Sequence, residues 1–115
     1  MNIISQMDGD FQVLVVEENR IDAAAAIAFK DTMKELTSDG TTAVVLDLTQ
    51  VDFVDSSGLG AIVAAKKFLG SERPLHLAGL SPIVAKVFSL TRMERVFEIY
   101  PTAQDAVTRK VASRA

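Results

Sequence analysis

The sequence predicts an α/β fold with a largely parallel sheet at its centre, and three observations carry that prediction. Runs rich in β-branched residues alternate along the chain with helical patterns of about three turns, the order in which strand–helix–strand units are built. One run, Ala43-Val44-Val45-Leu46-Asp47-Leu48, is apolar on both faces until its end, the mark of a strand covered on both sides. The length of 115 residues fits one domain. A chain of that size can bury roughly 65% of its unfolded surface, enough for a core without staples.

Phe11-Gln12-Val13-Leu14-Val15-Val16 reads as a strand, paired with Asn2 to Met7 across the turn Asp8-Gly9-Asp10. Asn19-Arg20-Ile21 continues extended. Asp22 stands where a helix N-cap belongs, ahead of four alanines. Ala26, Phe29, Met33 and Leu36 then recur at three- and four-residue spacing as one buried stripe, and Gly40 is placed to end that helix as a C′ glycine. After the central strand and a polar loop, Ser57 to Leu69 reads as a helix burying Leu59, Ile62, Val63 and Leu69. Gly70 to Pro74 is a surface loop, and Leu75 to Ala78 a short strand. Ser81-Pro82 opens another helix with a hydroxyl N-cap and proline at the first helical position. Phe97 to Tyr100 is a last strand, and Thr102 with Asp105 resembles a capping box for a final helix. Met33 and Met93 read as core filler, Lys66-Lys67 as a solvated helix edge.

Composition excludes several functions. There are no cysteines, so disulfides and thiolate metal sites are ruled out. Net charge is −3 with both signs interspersed, without the basic stripe of a nucleic-acid binder. The tail residues Arg109, Lys110 and Arg114 alternate with apolar ones, as on the solvated face of a last helix. No apolar run approaches the ~20 residues needed to span a bilayer, and the N-terminus lacks a signal pattern. A soluble, cytoplasmic protein is expected.

The segment with chemistry in it is Asp55-Ser56-Ser57-Gly58-Leu59-Gly60, between a strand-loop and a helix. Asp or Ser can cap that helix. Capping does not explain two glycines in the first turn, each of which costs about 1 kcal/mol against alanine. Small residues there leave the backbone bare for close approach by another surface. A dinucleotide fingerprint fails, because Val63 stands where a third small residue is needed and His76 to Leu80 where an acidic one is. A P-loop fails for want of Gly-Lys-Ser/Thr. An esterase elbow needs glycine two residues before the serine, where Val54 and Asp55 stand, and the only histidine, His76, lies in an apolar strand. What remains for a serine at a helix N-terminus is to accept a phosphoryl group, which the unpaired N–H groups and partial positive charge of the helix end tolerate.

Asp55-Ser56-Ser57-Gly58-Leu59-Gly60, with Val45-Leu46-Asp47-Leu48 and Val51-Asp52-Phe53-Val54 before it, resembles the signature of STAS domains that act as anti-sigma-factor antagonists. Leu80 to Val84, Val87-Phe88 and Phe97 to Tyr100 resemble that family's C-terminal half. The resemblance implies a single STAS domain over residues 1–115, a mixed sheet of four to five strands with about four helices. It implies no catalysis and no cofactor in this chain. The implied partners are an anti-sigma factor that is also a serine kinase of the histidine-kinase-like ATPase fold, and a metal-dependent serine phosphatase; ATP and metal belong to them. Ser56 matches the phosphorylated serine. Asp22, Asp55, Ser57, Gly58 and Gly60 match the partner-binding surface around it. Where the family often has glycine three residues before that first aspartate, this chain has Asn19; asparagine best replaces glycine at positive φ, so the same turn is expected. A competing role for the same fold is a scaffold subunit of a lipid-transport ABC complex or another membrane transport assembly.

Overall fold

The computed structural model describes residues 1–112, with side chains described through residue 108. The tail charges Arg109, Lys110 and Arg114 therefore lie outside the described side chains. Strand β1 (Ile3–Asp8) turns back into β2 (Phe11–Val16) as an antiparallel hairpin, with Ile3 opposite Val16 and Asp8 opposite Phe11. Three parallel pairings extend the sheet through β4 (Ala43–Asp47), β6 (Leu75–Ala78) and β7 (Ile99–Tyr100), in the order β1-β2-β4-β6-β7.

Side-chain alternation gives this sheet two apolar faces. Leu14, Leu46, Leu77 and Ile99 are register partners in one row, packed beneath helices α1 (Ala26–Thr37), α2 (Ser56–Leu69) and α3 (Pro82–Leu90). Phe29, Met33, Ile62, Val84 and Phe88 from those helices fill that core. The next row, Val13, Val45 and His76, faces the other way, where Val13 and Val45 pack with Ala106 of α4 (Ala103–Ala112). That double cover is why β4 is apolar throughout. The connections step outward in one direction, β2 to β4 to β6 to β7. The sheet therefore has no reversal of strand order, the feature that opens a nucleotide crevice in doubly wound folds.

Several local expectations are corrected. Helix α1 begins at Ala26, not after Asp22; Ala23 to Ala25 form a turn, and Ala25, at the N-cap position, offers no side-chain cap. Gly40 is not its C′ glycine: the C-cap is Ser38, in right-handed helical angles, and Gly40 lacks a positive φ. That helix end is closed by Arg73, from the stretch expected to be a plain surface loop. Its guanidinium donates to the Thr37 carbonyl (2.6 Å), the Thr42 carbonyl (2.8 Å) and Gln12 Oε1 (3.1 Å). Asn19 is not at positive φ either; it is a bend just before Arg20, and its carbonyl accepts the Asp52 amide at 2.8 Å. The last strand pairs only over Ile99–Tyr100, because the Phe97 amide is held by the Met93 carbonyl (3.1 Å) and its ring turns into the core against Phe88. Leu59 and Val63 of α2 are half-buried rather than core. Ser81 caps α3 through its bond from the Val84 amide, and Thr102 Oγ1 accepts the Asp105 amide. Among the described residues, no helix is long and apolar enough to cross a membrane.

Candidate functional site

Two short strands that sequence patterning left unpaired create the site. β3 (Arg20–Ile21) and β5 (Phe53–Val54) pair in parallel, Arg20 opposite Phe53 and Ile21 opposite Val54. β3 leads into the turn before α1, and β5 leads directly into α2. The pair therefore draws the approach to α1 and the start of α2 into one corner. Ile21 and Val54 point inward and are buried, while Arg20 and Phe53 face out, the guanidinium carbon 4.2 Å from the ring centroid.

Asp55 locks the corner. It is the N-cap of α2, its Oδ1 accepting the Gly58 amide at 2.9 Å, while Oδ2 accepts the Ala23 amide at 3.0 Å. One carboxylate thus ties two chain segments 32 residues apart. Gly58 completes the lock: a Cβ there would lie 1.8 Å from the Ile21 carbonyl oxygen, so only glycine lets α2 approach β3 this closely. The expected bare backbone exists at Gly60, where a Cβ would meet nothing within 4 Å. Gly58 is buried.

Asp22 does not cap α1, but its Oδ1 accepts the Ala25 amide (3.2 Å) and its Oδ2 accepts from Arg20 Nε (3.2 Å). The Arg20 hydrogen bond, chiefly, holds the Asp22 carboxyl below its ordinary value. Asp22 and Ser56 each neighbour one partner of the Ala23–Asp55 hydrogen bond, which brings the segments that carry them into one corner.

Ser56 and Ser57 are exposed on the first turn of α2. Among the described residues, no hydrogen bond engages either hydroxyl or either amide. His76, by contrast, lies buried under the opposite sheet face, its ring 6.3 Å from that of Phe11 and 5.9 Å from that of Tyr100. Arg20 and Phe53 are surface residues that sequence reasoning missed. Each is the outward residue of a two-residue strand, too short for alternation to mark it in the sequence.

Residues 4–106 match the STAS domain profile. The anti-sigma-B factor antagonist of Listeria monocytogenes is 32% identical over 103 residues, covering 86% of this chain and 90% of its own length. The anti-sigma-F factor antagonist RsfB of Mycobacterium tuberculosis is 27% identical over 88 residues, 76% of this chain and 72% of that protein. The crystal structure of an anti-sigma factor antagonist from Mycobacterium paratuberculosis, 28% identical, aligns over 94% of this chain and 92% of that one with a TM-score of 0.83. On this match and the sheet order, helix placement and corner geometry described above, the chain belongs to the STAS domain family.

Proposed function

We propose that this chain is an anti-sigma-factor antagonist working as a single STAS domain, a cytoplasmic protein-binding switch rather than an enzyme. Unphosphorylated, it docks an anti-sigma factor that is also a serine kinase of the histidine-kinase-like ATPase fold, and so frees a sigma factor. That kinase phosphorylates Ser56, and a metal-dependent serine phosphatase restores the hydroxyl. The chain supplies the acceptor; nucleotide and metal come with the partners. Relatives named as antagonists of two different anti-sigma factors support the class of partner.

The observation that carries the proposal is the exposed, unengaged Ser56 on a corner that Asp55, Gly58, Ile21 and Ala23 hold together without it. A phosphate on Ser56 lies at a helix N-terminus with the Ser56 and Ser57 amides within reach, so the fold tolerates it. It adds a charge of about −1.5 to −2 beside Asp55 and Asp22, and a partner fitted to a small neutral hydroxyl meets bulk and negative charge. Phosphorylation blocks the interface and leaves the domain folded. Asp22, Ser57 and Gly60 flank Ser56 on the docking surface, while Asp55 and Gly58 act mainly by shaping it.

Incubation with the cognate kinase and ATP, followed by mass spectrometry, tests this. One phosphoryl group on wild type and none on Ser56→Ala is expected. Equal phosphorylation of the two overturns the site assignment, and co-purification with a transporter ATPase instead of a kinase overturns the class.

A further inference from the structure

The outer side of α2 continues away from Ser56 as an apolar groove. Ser56, Gly60, Val63 and Lys67 recur at three- and four-residue spacing, one stripe of the helix, while Gly58, Ala61, Ile62, Ala65 and Leu69 form the inner stripe buried in the core. Met93, from the 3-10 turn Met93–Arg95, closes the far side, leaving a hollow of about 410 Å³ that starts at Ser56 and ends at Lys67. A second hollow of about 390 Å³ shares Val63 and Lys67 with it and runs on between Lys66 and Val96. Ser56 to Lys67 is eleven residues, or about 16 Å along a helix axis.

The groove is polarised. Among the described residues, Lys66 and Lys67 are the charged ones that line it, and no carboxylate does. Neither lysine is ion-paired among the described residues. Lys66 is held in place with its ammonium 6.0 Å from the Phe97 ring centroid, whereas Lys67 is exposed. The Ser56 end is mixed in charge: Asp52, Asp55 and Asp22 stand around β3 and β5, with exposed Arg20 ion-paired to Asp22 among them. A shallow apolar strip with unpaired cations at its far end is complementary to an apolar protein segment that carries acidic side chains there.

We infer that the outer stripe of α2 is the second half of the docking surface: an apolar segment of the kinase partner lies along it from Ser56 and sets acidic side chains against Lys66 and Lys67. This inference rests on the proposed role of Ser56, whose corner is continuous with the groove. The lysine end fixes the direction of docking, so that the kinase active site arrives at Ser56. It also makes the partner's affinity salt-dependent.

The test measures kinase binding and Ser56 phosphorylation for wild type, Lys67→Glu, the double variant K66E/K67E, and Lys86→Glu as an exposed control on α3. Lys67→Glu keeps the Phe97 contact of Lys66, so it remains informative if the double variant folds poorly. Lys67→Glu is expected to weaken binding at least about tenfold at low salt, and Lys86→Glu by less than about twofold. Lys67→Glu should still be phosphorylated on Ser56 once kinase exceeds the new Kd. Unchanged affinity of both lysine variants, with wild type phosphorylated on Ser56, overturns the groove alone. Failure of wild type to be phosphorylated overturns the role of Ser56 itself. If Lys67→Glu alters self-association of this chain and not kinase binding, the occupant is a second copy and the inference is wrong.

Discussion

Gly58 and Gly60 stand two residues apart in α2, and the same added methyl group should have opposite effects on them. In helical conformation, alanine in place of glycine gains about 1 kcal/mol. At Gly60 nothing lies within 4 Å of the new Cβ, so the gain is kept. Gly60→Ala should raise stability by about 0.5–1 kcal/mol and the Tm by roughly 3–5 °C. At Gly58 the Cβ falls 1.8 Å from the Ile21 carbonyl oxygen and 2.7 Å from its carbon. These are backbone atoms of a strand bonded to β5, and no side-chain rotation relieves the overlap. Opening the gap to 3.0 Å moves the two segments apart by about 1.2 Å. That shift costs about 1–3 kcal/mol as overpacking. It also stretches the Ala23–Asp55 bond across the same junction, a charged-acceptor bond worth about 1.5–3 kcal/mol. After the helix gain, Gly58→Ala should lose about 1.5–5 kcal/mol and at least roughly 6 °C in Tm. Urea unfolding followed by circular dichroism, with a thermal scan, measures both variants. A Gly58→Ala protein as stable as wild type would refute the close packing of α2 on β3. A Gly60→Ala protein no more stable than wild type would refute the openness of that position.

Other outcomes follow from the same geometry. Asp55→Ala should lose about 1–3 kcal/mol, since it removes a cap and an inter-segment tie together. Ser56→Ala, which breaks neither, should stay within about 0.5 kcal/mol of wild type, and a larger loss would show Ser56 to be structural. Arg73→Ala should lose about 2–3 kcal/mol in urea melts, and Arg73→Lys should restore only part, because an ammonium does not reproduce the guanidinium fork to three acceptors. The Asp22 carboxyl, depressed in the folded state, contributes stability that is present above its unfolded pKa and lost as pH falls through its folded one. Its NMR titration midpoint should lie below 3.8, and Arg20→Ala should raise it; a midpoint unmoved by that substitution would remove Arg20 as the cause.

Periodicity and end signals carried most of the architecture. The two-faced apolar run Ala43 to Leu48 foretold a central strand, Ser81-Pro82 a helix start, and Asp55-Ser56 the turn into α2, because each is settled by neighbours in sequence. What escaped was decided between distant segments. β3 and β5 are two residues each, too short for an alternation to register, and exist only because Arg20 and Ile21 meet Phe53 and Val54 in space. Asp22 carries the right chemistry for an N-cap, but the carboxylate that ties the Ala23 amide is Asp55, and the helix starts three residues later than that chemistry predicts. Gly40 needs no positive φ, while Arg73 closes α1 from the loop between α2 and β6. The two glycines of Asp55-Ser56-Ser57-Gly58-Leu59-Gly60 look alike in sequence. Only the position of Ile21 separates a packing glycine from an open one.

The central claim is that a phosphate on Ser56 closes a docking surface without disturbing the fold. The most direct measurement is the Kd of the cognate kinase for the unphosphorylated protein and for the same protein quantitatively phosphorylated on Ser56, with the Tm of each form as the control. Clustered negative charge at a desolvated interface should weaken binding by at least about 100-fold, or roughly 2.7 kcal/mol. The two Tm values should agree within about 3 °C. Equal Kd values for the two forms would contradict the switch. A phosphorylated protein that has lost its cooperative melt would show that the phosphate acts by unfolding the domain.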